Sequence, residues 1–474
     1  MKTKFFPNWL RLMTVFALLL AALAPASTAH AATCTVTTDA DNGAGSLREK
    51  IADPACDTID FDNDYTIPLA SELNIDRNLT IDGAGHNVTV SGDTNSDGTG
   101  DVRMFDVYPG VTFNLNQLTA TKGNAGSGGG IYNNGGTLNV TNSTFSGNNA
   151  PYGGAIYNND GTVSLTNGTF SANSASNGGA IFNFSGAVHI INSTFESNTT
   201  TSSGGGIYIR AGIVNITSST FSGNRASTGG AGGAIALSGI ATLNITNSTF
   251  SGNTASVAGG GIYVVAGAVS ITNSTISGNF GYTGGGGIYN NGGAITLRNT
   301  IVANNTGSSN CGGAITDGGG NLVWGDTSCP GINADPKLSA LADNGGHTQT
   351  MALQAGSAAI DAADSANCPA TDQRGYGRNG TCDIGAYEYD CLATPDLTIA
   401  KANDVGGTTT IGGAFDWTLT VSNGAGTAMW FTAPEVILRD ELPSSGATYG
   451  TPTPGNFTGV TNSNNISCSI ANKT

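Results

Sequence analysis

The stretch FSGNNAPYGGAIY, residues 145–157, carries the two sequence blocks that decide the fold. The first block is Phe-x-x-Asn, and the second is a glycine pair followed by a small residue and Ile. Both blocks recur in phase, at intervals of 25 to 29 residues, between residues 128 and 305. The Ile of the second block stands at Ile131, Ile156, Ile181, Ile207, Ile235, Ile262 and Ile288. A fixed period of this length is typical of a repeat protein.

Each repeat contains two or three short segments in which apolar and polar residues alternate, as in β-strands. None of these segments has helical periodicity. A unit of this size cannot bury its own apolar face, so successive copies must stack on one another. Parallel stacking places like residues over like, with Ile and Phe inside. The pattern therefore predicts an all-β, single-stranded parallel β-helix of about eight coils, about 40 Å long. The general preference of parallel crossovers predicts that it is right-handed.

The last residue of the Phe-x-x-Asn block predicts a ladder of asparagines along one turn of the coil. Asn tolerates left-handed backbone conformations, and its amide can bond to the next coil. The fixed phase favours this structural role over glycosylation at the many Asn-x-Ser/Thr triplets. The predicted ladder consists of Asn148, Asn173, Asn198, Asn224, Asn253, Asn279 and Asn304.

The residue after each repeat Ile predicts a stripe of aromatic side chains on the outer surface. If Ile points inward, its neighbour points outward. Stacked aromatics on a flat face suit sugar rings or a partner protein. Alternatively, a loop or a C-terminal domain covers the stripe, or a turn places these rings inside. The stripe is interrupted at Ala236 and consists of Tyr132, Tyr157, Phe182, Tyr208, Tyr263 and Tyr289.

The composition excludes several classes of protein. Of 474 residues, 71 are Gly and 11% are charged, with no collagen-like period. Gly is costly in helices, and 17 basic against 33 acidic residues would repel nucleic acid. Residues 123–310 contain five charged side chains, too few for the carboxylate clusters of polysaccharide chemistry. We therefore predict no catalytic residues and no enzyme activity. The alternative is a polysaccharide lyase or hydrolase whose site lies in the caps.

The first residues predict export. Lys2, Lys4 and Arg11 precede an apolar run at residues 12–23, and Ala29-His30-Ala31 suits cleavage. We therefore expect a signal peptide at residues 1–31, an extracellular or cell-surface location, and no membrane-spanning segment elsewhere. An even number of cysteines in an exported chain suggests disulfides. Sequence proximity suggests the pairs Cys34–Cys56, Cys311–Cys329 and Cys368–Cys382, which leaves Cys391 and Cys468 as a fourth pair.

Two polar clusters lie outside the regular repeats. Asp93, Asn95, Asp97 and Asp101 have the spacing that begins an EF-hand-type loop, which suggests calcium as a ligand. The alternative is a solvated turn, and no other cofactor is predicted. The second cluster carries both charges, and we expect it to form an ion-paired cap over the end of the β-helix. It consists of Asp361, Asp372, Arg374, Arg378, Asp383 and Glu388.

The repeats, in the forms Gly153-Gly154-Ala155-Ile156 and Phe145-Ser146-Gly147-Asn148, resemble those of polymorphic outer-membrane adhesins. The segment Gly45-Ser46-Leu47-Arg48-Glu49-Lys50 resembles the CSLREA-type segment of bacterial surface proteins. The motifs Asp343-Asn344-Gly345-Gly346-His347-Thr348 and Asp383-Ile384-Gly385-Ala386-Tyr387-Glu388 resemble the choice-of-anchor Q domain. From Pro395 the alternation resembles a conserved-repeat, Ig-like domain, which would form a β-sandwich.

These resemblances imply an exported β-helix of the pectin-lyase-like fold, followed by a partial Ig-like sandwich at the end of a truncated chain. They imply an adhesin-like or cell-envelope role without catalysis, or a passive spacer. A cell-surface glycan or a protein of a host or neighbouring cell would be the partner. The expected divisions are a signal peptide (1–31), an N-terminal cap with the first coils (32–110), regular repeats (111–310), a C-terminal cap (311–391) and the partial Ig-like domain (395–474).

Overall fold

The computed structural model describes residues 32–378, 380–389, 397–403 and 417–423. The predicted signal peptide, the Cys391–Cys468 pair and most of the predicted Ig-like domain lie outside the described residues. Two strands of that domain, Leu397–Asn403 and Trp417–Asn423, pair antiparallel. The sandwich itself stays a prediction.

Residues 32–333 form a parallel β-helix, so the predicted fold class is confirmed. Every strand pairs in parallel with its equivalents one coil away, and like residues lie side by side, as Ile131 does with Ile156. The two longest sheets have 12 strands each, so the solenoid extends beyond the eight predicted coils into the N-terminal region. At about 4.8 Å per strand, it is about 53 Å long.

A full coil contributes one strand to each of four sheets, here named A to D, in the chain order C, A, B, D. Sheet D, with its short strands, is the one that the sequence pattern did not indicate. Sheet A consists of Ala32–Val36, Cys56–Phe61, Leu79–Asp82, Thr112–Asn116, Thr137–Thr141, Thr162–Thr166, Ala187–Ile191, Gly212–Thr217, Ala241–Thr246, Ala268–Thr272, Ala294–Arg298 and Thr316–Asp317. Sheet B consists of Tyr65–Pro68, Val88–Ser91, Leu118–Thr121, Thr144–Ser146, Thr169–Ser171, Thr194–Glu196, Thr220–Ser222, Thr249–Ser251, Thr275–Ser277, Ile301–Ala303, Leu322–Trp324 and Ile332–Asn333. Sheet C consists of Leu73–Ile75, Phe105–Val107, Ile131–Asn134, Ile156–Asn159, Ile181–Asn183, Ile207–Ile209, Ile235–Leu237, Ile262–Val264, Ile288–Asn290 and Cys311–Gly312. Sheet D consists of Asn149–Tyr152, Ser174–Asn177, Thr199–Thr200, Arg225–Ala226, Thr254–Ala255, Phe280–Gly281 and Thr306–Gly307.

The interior of the solenoid is one continuous apolar core. Its centre is a stack of five phenylalanine rings from sheet B, with neighbouring centroids 4.7 to 5.1 Å apart and ring planes within 6° of parallel. All five side chains are fully buried. The stack consists of Phe145, Phe170, Phe195, Phe221 and Phe250. Like therefore packs on like inside the coils, as the repeat pattern predicts.

The N-terminal end carries one short helix, α1 (Leu47–Ala52), whose Leu47 and Ile51 are buried. Ser46 caps it by accepting a hydrogen bond from the Glu49 N–H, and the Glu49 carboxylate accepts one from Gly45. The first contact is the Ser half of a capping box, whereas the Glu49 carboxylate binds the residue before the cap, and the Ser46 N–H donates to the Gly43 carbonyl. Among the described residues, no helix is long and apolar enough to cross a membrane.

Residues 338–378 and 380–389, here named the flank segment, lie along the outside of the solenoid. They include the antiparallel strands Leu338–Ala342 and Thr350–Leu353 and a short 3-10 helix, Ser365–Asn367. The prediction of a cap over the end of the β-helix is therefore wrong for this segment. It hydrogen-bonds to four successive coils, from Ser218 to Asn299. It shares a small apolar core with Ile301 and Leu322.

Three disulfides join the pairs that sequence proximity suggested. Cys34–Cys56 links the first two strands of sheet A, Cys311–Cys329 lies near the last coil, and Cys368–Cys382 closes a loop of the flank segment. Their Cα–Cα distances are 5.5, 5.1 and 6.6 Å, within the range that disulfides require.

Candidate binding surfaces

A buried asparagine ladder fixes the turn between sheets B and D. In each coil the Asn side-chain oxygen accepts from the backbone N–H and the side-chain amide of the preceding Asn, as Asn198 does from Asn173 at 3.0 and 2.9 Å. The amide of Asn198 donates in turn to the Phe170 carbonyl at 2.9 Å and to Asn224. The ladder consists of Asn148, Asn173, Asn198, Asn224, Asn253, Asn279, Asn305 and Asn310.

The assignment of Asn304 to this ladder is wrong, because Asn305 occupies the position. Ile276 pairs with Val302 and not with Ile301, so the last repeat is shifted by one residue. A shift of one residue moves a side chain to the other face of a strand. Asn304 is accordingly exposed, whereas Asn305 is buried and accepts from Asn279.

The predicted reason for the ladder asparagines is also partly wrong. None of them has a positive φ except the misassigned Asn304. From Asn148 to Asn305, the left-handed residue is the one that precedes the ladder Asn, for example Gly147 or Ala172. A second set of asparagines, including Asn142 and Asn167, does adopt positive φ at the corner between sheets A and B. The ladder position therefore requires the amide itself, and the backbone freedom lies next to it.

The six residues of the predicted stripe lie on the outer face of sheet C, and five of them are half-buried. The first four rings form one continuous stack: centroids are 5.2 Å apart for Tyr132–Tyr157, 5.3 Å for Tyr157–Phe182 and 4.9 Å for Phe182–Tyr208. Tyr263 and Tyr289 form a separate pair at 5.7 Å. The structure thus brings the predicted residues together as two stacks.

Neighbouring side chains cover parts of the stripe. The Arg103 guanidinium lies 5.0 Å from the centre of the Tyr132 ring, where it gains a cation–π contact. Tyr152 packs edge-on against Phe182, which is only 5% exposed. Ala236, at the interruption, is also buried. Tyr152 itself remains 44% exposed and extends the aromatic surface. Because it lies outside the Ile-Tyr repeat, the repeat pattern does not predict it.

The loop that suggested calcium binding is folded around other contacts. Asp93 is buried and accepts from Lys122 Nζ at 3.0 Å, and this ammonium lowers the pKa of the carboxyl. Asp93 also accepts from loop N–H groups, and Asp101 from the Thr94 N–H. Across the described residues, the one group of three ligand-type side chains within 4.8 Å is Cys34, Asp53 and Cys56, two of which form a disulfide. The structure thus pairs Asp93 with Lys122, and calcium binding by this loop stays a prediction.

The charged cluster of the flank segment is paired internally. Arg374 contacts Asp372 at 2.7 Å and Arg378 contacts Glu388 at 2.9 Å, and all four side chains are at most 4% exposed. The Arg374 guanidinium also lies 3.6 Å from the centre of the Tyr387 ring. The cluster is ion-paired as predicted. It lies within the flank segment, however, and does not cover the end of the solenoid. The charges of these four side chains pair with one another.

Asp383 in this cluster predicts a pH dependence of stability. Burial raises its pKa to about 6, and nearby Glu388 adds to the rise. A raised pKa in the folded state contributes stability that is complete below the ordinary value and is lost as pH rises through about 6. We expect the thermal midpoint to fall between about pH 4 and pH 6. In Asp383→Asn this fall should shrink, whereas in the control Asp361→Asn, at an exposed position, it should persist. An unchanged fall in Asp383→Asn would contradict the assignment.

Comparison with known families gives one match, to three short stretches. The model described as the Chlamydia polymorphic membrane protein (Chlamydia_PMP) repeat matches residues 142–159, 192–210 and 247–265. Each stretch runs from the corner before sheet B to sheet C, so it contains the ladder Asn and the glycines before the repeat Ile. The chain therefore carries repeats of this type. The resemblances to the CSLREA segment, the choice-of-anchor Q domain and the Ig-like domain stay predictions.

No curated protein sequence matches this chain. Among solved structures, the crystal structure of pectate lyase Pel9A is similar, with a TM-score of 0.47 and 17% sequence identity. The similarity covers 77% of this chain and 98% of that one. The parallel β-helix assigned above follows from the strand pairing of this chain itself.

Proposed function

We propose that this chain is an exported, surface-displayed β-helix protein that adheres to another surface through the aromatic stripe and has no catalytic activity. The observation that carries the proposal is the two stacks of rings along sheet C, in which every ring except that of Phe182 is half-buried. Ring edges at regular coil spacing present an apolar surface with tyrosine hydroxyls, which suits sugar rings or an apolar protein face. The expected ligand is a cell-surface glycan or a protein of a neighbouring or host cell.

Three further observations support an exported adhesin-like role. The matched repeats belong to a family of polymorphic membrane proteins, which suggests display at an outer-membrane surface. The three disulfides fit an oxidising compartment. The regular coils carry little charge, so they offer a long surface for adhesion and few groups for acid–base chemistry.

The main alternative is a polysaccharide-active enzyme whose site lies in the flank segment, where the charges are concentrated. The buried ion pairs of Arg374 and Arg378 weigh against it, because both cations are already bound to carboxylates and carbonyls. A passive spacer is the second alternative. Product release from acidic and neutral glycans would support the enzyme, and failure to adhere to any surface would support the spacer.

The test is adhesion of the secreted chain to a glycan array and to cells. Tyr157→Ser and Tyr208→Ser together remove one inner ring and one end ring of the main stack, so we expect at least a tenfold loss of binding. Tyr282→Ser is the matched control, because Tyr282 is 69% exposed and lies outside the stripe. Unchanged binding of the double variant, or an equal loss in the control, would overturn the proposal.

A further inference from the structure

The outer face of sheet B shows which chemistry it accepts, because part of the chain already docks there. The side-chain amide of Gln373 bridges two threonines on adjacent coils: its nitrogen donates to Thr220 Oγ1 at 2.8 Å, and its oxygen accepts from Thr249 Oγ1 at 2.6 Å. Gln373 is 2% exposed, and both threonines are buried beneath the flank segment. The amide thus satisfies one hydroxyl from each coil.

The same threonine row continues beyond the flank segment. Thr144, Thr169 and Thr194 stand in register with Thr220, one coil apart. Each is only partly buried, and within the described residues none of their hydroxyls has a hydrogen-bond partner. Because the strand register is unchanged, each adjacent pair offers the arrangement that Gln373 occupies, with about 4.8 Å between coils.

The asparagines at the corner between sheets A and B give a second indication. Under the flank segment, their side-chain oxygens accept hydrogen bonds: Asn247 from Arg378 at 3.1 Å and Asn299 from the Asp364 N–H at 2.8 Å. On the uncovered coils, the equivalent oxygen of Asn167 is buried without any partner. A buried acceptor without a partner is costly, and a docked chain with a donor at this position would satisfy it.

We propose that the free row, defined as Thr144, Thr169 and Thr194 with the corner residues Asn142, Asn167 and Asn192, docks an extended polypeptide segment of a partner protein. The segment presents side-chain carboxamides to the threonine pairs and a basic donor to the unpartnered side-chain oxygen of Asn167. The free row is continuous with the intramolecular interface, which a polypeptide occupies. The exposed carboxylate of Glu196, next to Thr194 in the outward row, favours a basic segment.

The coil spacing also fits a polypeptide that runs along the solenoid axis. One amide for each pair of coils requires a repeat of about 9.6 Å. A polyproline II segment rises about 9.3 Å in three residues, so when one glutamine bridges Thr144 and Thr169, the glutamine three residues further on reaches Thr194. This surface lies on sheet B, so the inference does not depend on the aromatic stripe.

The probe is a lysine-capped peptide of repeating Gln-Pro-Pro, with Glu-Pro-Pro as the control peptide, and binding to the full chain is followed by fluorescence anisotropy. The variant carries Thr144→Val, Thr169→Val and Thr194→Val, which remove hydroxyls with little change of shape. Its control carries Thr137→Val, Thr162→Val and Thr242→Val, at equally exposed positions of sheet A. Circular dichroism checks that both fold.

We expect the unaltered chain and the sheet A control to bind the glutamine peptide alike. The sheet B variant should bind it at least tenfold more weakly, and the glutamate peptide should bind weakly to all three. Tyr157→Ser with Tyr208→Ser should leave this binding intact, which separates the inference from the proposed function. The inference is overturned if the unaltered chain does not bind the glutamine peptide or if the sheet B variant binds it equally well. It is also overturned if only an N-acetylglucosamine oligomer binds in a manner that depends on the sheet B threonines.

Discussion

Asn198→Ala is expected to lower the free energy of unfolding by about 2–5 kcal/mol, because it breaks the asparagine ladder in mid-solenoid. The substitution leaves the Asn173 N–H without its acceptor and removes the donor to the Phe170 carbonyl. Both groups lie in the interior of a coil, where water does not replace the lost partner. Each such loss costs about 1–3 kcal/mol, and the small cavity that remains adds to the cost.

The control for this prediction is Asn149→Ala. Asn149 follows a ladder residue directly in the sequence but is exposed, and its side chain makes surface hydrogen bonds with Ser174 and Asn124, so we expect its loss to cost about 1 kcal/mol or less. Chemical denaturation of both variants measures the difference. Equal stability of the two variants would show that the ladder does not hold the coils.

Phe195→Ala is expected to cost about 3–5 kcal/mol, since it removes the middle ring of the phenylalanine stack. Phe195 is fully buried, with ring centroids 4.8 Å from Phe170 and 4.7 Å from Phe221. The rings above and below are held by their own strands, so they cannot close the gap. Phe195→Leu keeps most of the volume and should cost distinctly less.

Phe280→Ala is the matched control for the stack, because Phe280 lies on sheet D with 36% of its surface exposed. It should change the free energy of unfolding by much less than Phe195→Ala. A cost for Phe195→Ala no larger than that for Phe280→Ala would contradict the packing described here. Denaturant unfolding of the disulfide-bonded chain provides both values.

The repeat pattern was enough to predict the solenoid, because its period and phase reflect local alternation that every coil obeys. Ile131 and Tyr132 illustrate this: alternation in a strand sends one inward and the other outward, whatever the rest of the chain does. The three described disulfides were also predictable, since each joins cysteines no more than 22 residues apart.

The last repeat escaped prediction for a local reason. Ile301-Val302-Ala303 is apolar throughout, so alternation gives no phase, and only the pairing of Ile276 with Val302 selects Asn305 over Asn304. The partner of Asp93 escaped prediction as well, because the spacing of Asp93 and its neighbours does not reveal that Lys122, one coil away, contacts its carboxylate.

The flank segment could not be placed from the sequence, because its contacts are long-range. Thr348 bonds to the Ser218 carbonyl across 130 residues, and Gln373 bonds to Thr220 across 153. The threonines that it covers belong to the same repeat position as those it leaves uncovered. Repetition fixes the rows of side chains, but where another chain lies on them depends on tertiary packing.

The central claim is that successive repeats stack in strict register, since the core, the ladder and both surface rows follow from it. Paired cysteines test this claim directly. Ser146 and Ser171 are register partners on the outer face of sheet B, and Glu196 is the next in line. Adjacent coils are about 4.8 Å apart, within the Cα–Cα distance that a disulfide allows, and alternate coils are about 9.6 Å apart, beyond that distance.

Under mild oxidation, Ser146→Cys with Ser171→Cys should form a disulfide, identified by peptide mass spectrometry, and Ser146→Cys with Glu196→Cys should not. Absence of the first cross-link, or equal yield of the second, would contradict the account.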